Sequence, residues 1–142
     1  MKPTQVTFVP DAEDAITSNA GWDTLTHAAY LTEVVAEFKR HGIRTSLFVD
    51  PIPQMVEAAA KTGTDRVELY TEAYARKYAR DNQEGILPYV QAAKVAESVG
   101  LGLNAGHDLS LDNLKYFKEQ IPNLLEVSIG HALISEALYL GL

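Results

Sequence analysis

An α/β fold on parallel strands is the architecture this sequence predicts, and three observations predict it. Short apolar or β-branched runs alternate with longer helical stretches throughout the 142 residues. Helix-like sequence closes on a glycine that leads into a strand-like run at Gly42, Gly63 and Gly100. The strand-like runs start near residues 5, 44, 66, 101 and 124, so each interval is long enough for a crossover helix. The whole of 1–142 reads as one domain without a low-complexity linker.

The first strand is expected over Gln5–Val9, where Pro10 stops it. Asp23 is a good N-cap for the helix that follows, with Leu25, Ala28, Leu31, Val34 or Val35, and Phe38 recurring on one face. His41 and Gly42 close that helix, the histidine where positive charge is favoured. The second strand runs over Arg44–Val49 to the Asp50-Pro51 stop, and a shorter helix over Pro53–Lys61 closes at Gly63. After a third strand, Arg66–Tyr70, a helix is predicted over roughly Gly85–Val99, with Leu87, Val90, Ala93 and Ala96 as its apolar stripe and Pro88 near its first turn. The fourth strand, Leu101–Asn104, continues into Ala105-Gly106-His107. Ser110 then caps a helix over Leu111–Gln120 that ends before Pro122. The fifth strand, Leu124–Ile129, meets Gly130-His131, and the last helix spans His131–Leu140.

Composition narrows the function classes. With 12 Lys+Arg against 19 Asp+Glu the formal charge is −7, so neither a nucleic-acid nor an anionic-membrane partner is expected. The absence of Cys excludes disulfides, thiolate metal sites and a cysteine nucleophile. No long apolar run suggests a signal peptide or a membrane-spanning helix, and the expected location is the cytoplasm.

Strand faces carry the first hint of chemistry. Val67 and Leu69 alternate with Glu68 and Tyr70; Leu125, Val127 and Ile129 alternate with Glu126 and Ser128; Leu47 and Val49 alternate with Ser46, Phe48 and Asp50. If the apolar face meets the helices, the other gathers Glu68, Glu126, Ser128, Asn104 and Asp50. Parallel strands sandwiched between two helix layers are apolar on both faces, so such a face suits a barrel interior beneath an active site. The alternatives are an open sheet with one wet face and a complete flavodoxin-like domain.

Polar and glycine-rich residues also gather where strands end, the place where βα loops build active sites. His107 and His131 each follow a glycine there and could serve as general acid or base, or equally as hydrogen-bonded loop histidines. His27 and His41 lie in or at the end of the first helix, as surface or capping residues. Gly130-His131 opens a helix whose free N–H groups could hold a phosphate without a lysine. Glu68 and Glu126 could do paired acid and base work if both faced one cavity, with Glu68 the stronger candidate because Tyr70 and the strand end lie above it. No HxH or HExxH spacing supports a metal, no Walker motif is present, and Gly100-Leu101-Gly102 precedes its strand instead of following it, which argues against a dinucleotide site.

Val9-Pro10 with Ile16 to Asp23, Gly42 to Asp50, Val67-Glu68-Leu69-Tyr70-Thr71, Leu103-Asn104-Ala105-Gly106-His107, and Val127 to Ile134 form a distinctive series of segments. Together they resemble the pyridoxine 5′-phosphate synthases of the deoxyxylulose-dependent vitamin B6 pathway. The resemblance covers essentially the whole chain, in the family's order. It implies a TIM barrel that condenses 3-amino-2-oxopropyl phosphate with 1-deoxy-D-xylulose 5-phosphate to give pyridoxine 5′-phosphate, phosphate and water. It further implies no metal or organic cofactor, small phosphorylated substrates and a homo-oligomer. By the same resemblance His107 is the proton donor, Glu68 supports the transition state, Thr17 contacts the deoxyxylulose phosphate, and Gly130 and His131 bind the aminoketone phosphate. Asp108 stands where many members have glycine; its backbone N–H can still donate to substrate, although its carboxylate is a departure beside a phosphate.

The resemblance implies a partial barrel of about five βα units, strands four to eight of the family fold. The first three units would be absent, along with the family's other catalytic histidine, its catalytic glutamate, and an arginine and a histidine that help bind phosphate and substrate. A typical barrel of roughly 250 residues exceeds this chain by about 100. Five strands cannot close an eight-stranded barrel, so the first and last are expected as open edges, and the chain alone is expected to be inactive. The competing expectation is a non-catalytic remnant or partner-complemented scaffold.

Overall fold

The computed structural model describes residues 2–10 and 19–141. Five strands, β1 (Gln5–Phe8), β2 (Arg44–Val49), β3 (Arg66–Tyr70), β4 (Gly102–Gly106) and β5 (Leu124–Ser128), form one sheet in which spatial order follows chain order. Every pairing is parallel. The described helices are α1 (Ala28–Arg40), α2 (Pro53–Lys61), α3 (Glu72–Tyr78), α4 (Asn82–Ser98), α5 (Leu111–Gln120) and α6 (His131–Leu140). Right-handed crossovers between consecutive strands put their helices on one face. This is the alternating α/β arrangement of a barrel wall. It excludes the flavodoxin-like alternative, whose strand order reverses at the switch point.

The helix-facing side of the sheet is the core. Leu47, Val49, Val67, Leu69, Leu103 and Ala105 are buried there against residues of α1, α2, α4 and α5. Burying each of the larger aliphatic side chains contributes about 1.5–3 kcal/mol. Beneath β3 and β4, Tyr74, Tyr89 and Phe117 meet edge to face, with centroids 5.0 to 5.9 Å apart. Their polar tips are satisfied: the Tyr74 hydroxyl donates to the Asn113 carbonyl (2.7 Å) and that of Tyr89 to the Tyr70 carbonyl (2.8 Å). Burial pushes both phenols well above their ordinary range, so they stay neutral.

The opposite face is concave and polar. Its lower layer is a network in which the Glu126 carboxylate accepts from Gln5 Nε2 (3.2 Å) and Asn104 Nδ2 (3.2 Å) and pairs with Arg66 (2.7 Å). Arg44 approaches from β2 at 3.7 Å. Glu126 is thus committed to a structural network and does not share the cavity with Glu68.

Several elements differ from expectation. The regular part of α1 starts at Ala28. The Asp23 carboxylate caps the preceding turn, accepting from the N–H groups of Leu25 (3.2 Å) and Thr26 (3.0 Å), and Leu25 is exposed. Helix α3 is additional. Helix α4 starts at Asn82, where the Asp81 carboxylate accepts from Glu84 N–H (2.9 Å), so Pro88 lies in its second turn and not its first. The buried stripe of α4 is Ile86, Tyr89, Ala92, Ala93 and Ala96, while Leu87 faces solvent. A bulge between β4 and β5 accounts for a change of face. Leu124 enters the core, and Leu125 is displaced to the concave side, 3.1 Å from where a Gly102 Cβ would sit.

Candidate active site

At the carboxyl ends of the strands the concave face opens into a cavity of about 700 Å³ lined by Thr7, Glu68, His107, Ser128, Gly130 and His131, among others. Glu68, Gly130, His131 and His107, four of the sequence-derived candidates, therefore face one space. Asp108 also lines it. Thr17 lies outside the described residues.

Glu68 projects from the middle of β3 and is buried. Its Oε2 accepts from the Thr7 hydroxyl of β1 (3.1 Å) and the Ser128 hydroxyl of β5 (3.3 Å). Burial raises its carboxyl above the ordinary range. The two hydroxyls and His107 oppose that rise, and the Glu126 charge adds to it. Room for the carboxylate depends on Gly106, directly across the ladder from Tyr70, because a Cβ there would lie 2.2 Å from Glu68 Oε1.

His107 follows β4 in a left-handed conformation, φ +77°, and Asp108 follows it at +49°. The turn is held by the backbone: His107 N–H donates to the Ser128 carbonyl (3.2 Å). The Thr71 N–H donates to the Gly106 carbonyl at 3.1 Å, and the Thr71 hydroxyl reaches both the Gly106 carbonyl (2.6 Å) and the His107 carbonyl. The imidazole stands edge-on to Tyr70, centroids 5.2 Å apart. Its Nδ1 is buried and 3.1 Å from Asp108 Oδ2, within ion-pair distance but out of line for a hydrogen bond.

Gly130 and His131 begin α6, whose first N–H groups open at the cavity rim with the positive end of the helix dipole. A phosphate group fits that electrostatic setting. Thr7 and Thr71 were not among the sequence candidates. The parity of β1 places Thr7 on the concave face opposite Ser46, a signal the sequence did contain. Asp50 does not line the cavity: its carboxylate accepts from the Gly21 N–H (3.3 Å), tying down the segment that follows β1. His27 stacks edge-on to Trp22, and His41 Nδ1 lies 2.9 Å from the Glu37 carbonyl; both stand apart from the cavity. Among the described residues no group of three or more His, Cys, Asp or Glu gathers to hold a metal ion. Nor is any described helix long and apolar enough to cross a membrane.

Residues 1–142 match the family model for pyridoxal phosphate biosynthesis protein PdxJ. The chain is 68% identical over 141 residues to a pyridoxine 5′-phosphate synthase of Flavobacterium johnsoniae, covering 99% of this chain and 60% of that protein. It is 64% identical to the protein of that name in Christiangramia forsetii and 62% identical to the one in Cytophaga hutchinsonii, in each case over the whole chain and 60% of the relative. The chain thus spans about 60% of the length of these curated relatives.

Proposed function

The chain belongs to the PdxJ family, and on that premise we propose that it supplies the proton-donor half of a pyridoxine 5′-phosphate synthase site. The observation that carries this reading is the convergence of His107, Glu68 and the opening turn of α6 on one cavity. The reaction is the condensation of 3-amino-2-oxopropyl phosphate with 1-deoxy-D-xylulose 5-phosphate. Such a condensation must expel water, and an acid in contact with the leaving oxygen accelerates that step by about 10²–10⁴. His107 is that acid. Its Nδ1 is buried, which leaves Nε2 to deliver the proton to the cavity.

Glu68 supports the transition state as a fixed, largely desolvated carboxyl. It opposes the positive charge that develops where an amine adds to a carbonyl, and its two hydroxyl donors hold it without a reorganisation cost. Gly130 and His131 receive the aminoketone phosphate through backbone N–H groups, the Asp108 N–H adds a donor, and Thr17 contacts the second phosphate. In this reading residues 1–142 are the carboxyl-terminal five βα units of a barrel domain. The complete assembly is a cytoplasmic homo-oligomer acting on small phosphorylated substrates.

The decisive experiment measures pyridoxine 5′-phosphate formation by the purified chain alone and after mixing with the amino-terminal portion of a relative. Negligible product alone and recovered product in the mixture support the reading. Family-like turnover by the chain alone overturns the expected dependence on a complement. Silence in both favours the second reading, a non-catalytic remnant or scaffold.

A further inference from the structure

His107 and Asp108 are the non-glycine residues with positive φ among those described. That conformation is unfavourable for most L-residues and better tolerated by aspartate, so two such residues in succession need support from their surroundings. The support is directed at His107. Its N–H is held by Ser128, its carbonyl is held by Thr71, and its ring edge packs on Tyr70. One consequence of the turn is that the Asp108 side chain folds back beside the preceding imidazole, placing Oδ2 3.1 Å from Nδ1.

That ring nitrogen is buried and lacks an aligned partner. A buried polar atom without a hydrogen bond is costly, and among the described residues Asp108 is the acidic side chain within ion-pair distance of it. The ring is packed, whereas the Asp108 side chain is 42% exposed. The exposed carboxylate is therefore freer to turn into line than the imidazole is to move.

We infer that Asp108 is a positioning residue: its carboxylate accepts a hydrogen bond from the Nδ1–H of His107, fixing the ring's orientation and tautomer so that Nε2 serves the cavity. The catalytic consequence rests on the proton-donor role proposed for His107; the pairing itself does not. When the imidazolium gives its Nε2 proton to a leaving oxygen, the neutral ring that remains carries its proton on Nδ1. That is the tautomer a carboxylate at Asp108 holds.

Two variants test the inference without straining the turn. Asp108→Asn keeps an acceptor oxygen and tolerates positive φ, while Asp108→Gly removes the acceptor and is free of strain there. The readout is the imidazole ¹⁵N spectrum of the histidine-labelled chain at alkaline pH, with the His107 resonances identified by their loss in His107→Gln. The expected result is an Nδ1–H ring in the unsubstituted chain and in Asp108→Asn, shifting toward Nε2–H in Asp108→Gly. Unchanged tautomers in Asp108→Gly overturn the inference. In the complemented enzyme Asp108→Gly is expected to lower kcat about tenfold or more with little change in KM. A raised KM with unchanged kcat and tautomer would make Asp108 a binding residue and overturn the inference. A shifted tautomer with unchanged kcat would support the pairing and overturn the proton-donor role of His107.

Discussion

The Gln5 amide on β1 donates to the Glu126 carboxylate on β5 at 3.2 Å, although three strands separate them in the sheet. In a flat sheet, strand spacings of about 4.8 Å would hold β1 and β5 some 19 Å apart, roughly the width of four intervals. The contact exists because the sheet curls until its first and last strands face each other across a polar interior, which is barrel curvature. It also explains how Thr7 and Ser128, from the two edge strands, can both reach Glu68 on the central strand.

Glu126 organises the lower part of that interior, and its loss should loosen the curl. Glu126→Ala removes the acceptor for Gln5 and Asn104 and leaves the largely buried Arg66 guanidinium without its carboxylate. Because Glu126 is itself half-exposed, the expected cost is about 1–2 kcal/mol, less than for a fully buried pair. Glu126→Gln, which retains an acceptor, should lose less. Urea unfolding midpoints of the two variants check the order; equal losses would show that charge, and not the acceptor, is what matters.

Gly106→Ala tests the close approach that gives Glu68 its position. With its Cβ at 2.2 Å from Oε1, the alanine must push the carboxylate off the Thr7 and Ser128 hydroxyls. The expected loss is about 1–3 kcal/mol, as for overpacking in a tight interior. In a double-mutant cycle with Glu68→Ala, most of that loss should vanish because the clashing group is gone. Additive losses would instead locate the strain in the backbone.

The features that sequence made legible were those set by period and parity. Glu68 and Asn104 alternate with core residues, Glu126 and Ser128 with apolar ones, and the structure finds all four on the concave side. His107 and His131 stand at strand ends, and the sheet brings those ends together. What escaped depended on tertiary choice. Helix α3 is short and buries one residue, Tyr74, too little for a periodic stripe. Along α4 the adjacent Ile86 and Leu87 are equally apolar, and only packing decides that Ile86 turns inward. The Leu125 bulge breaks strict alternation, and no single-strand pattern announces it. Asp50 shared the parity of the polar face but lies beyond the end of β2, where the Gly21 N–H claims it. Thr71 had no visible role until β4 was placed beside β3.

That role is to clamp the turn that presents His107. Thr71→Val removes the only side-chain donor to the Gly106 and His107 carbonyls recorded among the described residues and should destabilise the chain by about 1–3 kcal/mol. Thr71→Ser restores the hydroxyl at small packing cost and should recover most of the loss. Amide hydrogen exchange at His107, whose N–H is bonded to Ser128, should quicken in Thr71→Val and not in Thr71→Ser. Identical exchange in both variants would remove Thr71 from the support of the turn.

The buried carboxyl of Glu68 gives stability a pH dependence of definite sign. Burial raises its folded-state pKa above the ordinary 4.5, despite hydrogen bonds from Thr7 and Ser128 that favour the ionised form. The fold therefore binds this proton more tightly than the unfolded chain does. Its stabilising effect is complete below the ordinary glutamate range and is lost as pH rises through the raised value. Glu68→Gln cannot ionise, so its stability relative to the unsubstituted chain should improve between about pH 4 and pH 7. Other carboxylates titrate in both proteins and cancel in the difference. Urea midpoints at intervals across that range provide the check, and a constant difference would mean that the carboxyl is not raised.

Removing the proposed acid should separate chemistry from binding. In the complemented enzyme His107→Asn is expected to lower kcat by about 10²–10⁴, the usual contribution of a placed general acid, with a smaller effect on KM. The stability change should be modest, because the His107 side chain is 25% exposed and its carboxylate neighbour more so. His131→Asn should behave differently. It keeps the backbone N–H groups at the start of α6 that are proposed to hold the phosphate and loses only the imidazole at the rim, so KM and kcat should both change little. Steady-state rates over a range of aminoketone phosphate concentrations distinguish the two. If His131→Asn abolished kcat and His107→Asn spared it, the proton would be coming from the α6 side of the cavity and the assignment of the acid to His107 would fail.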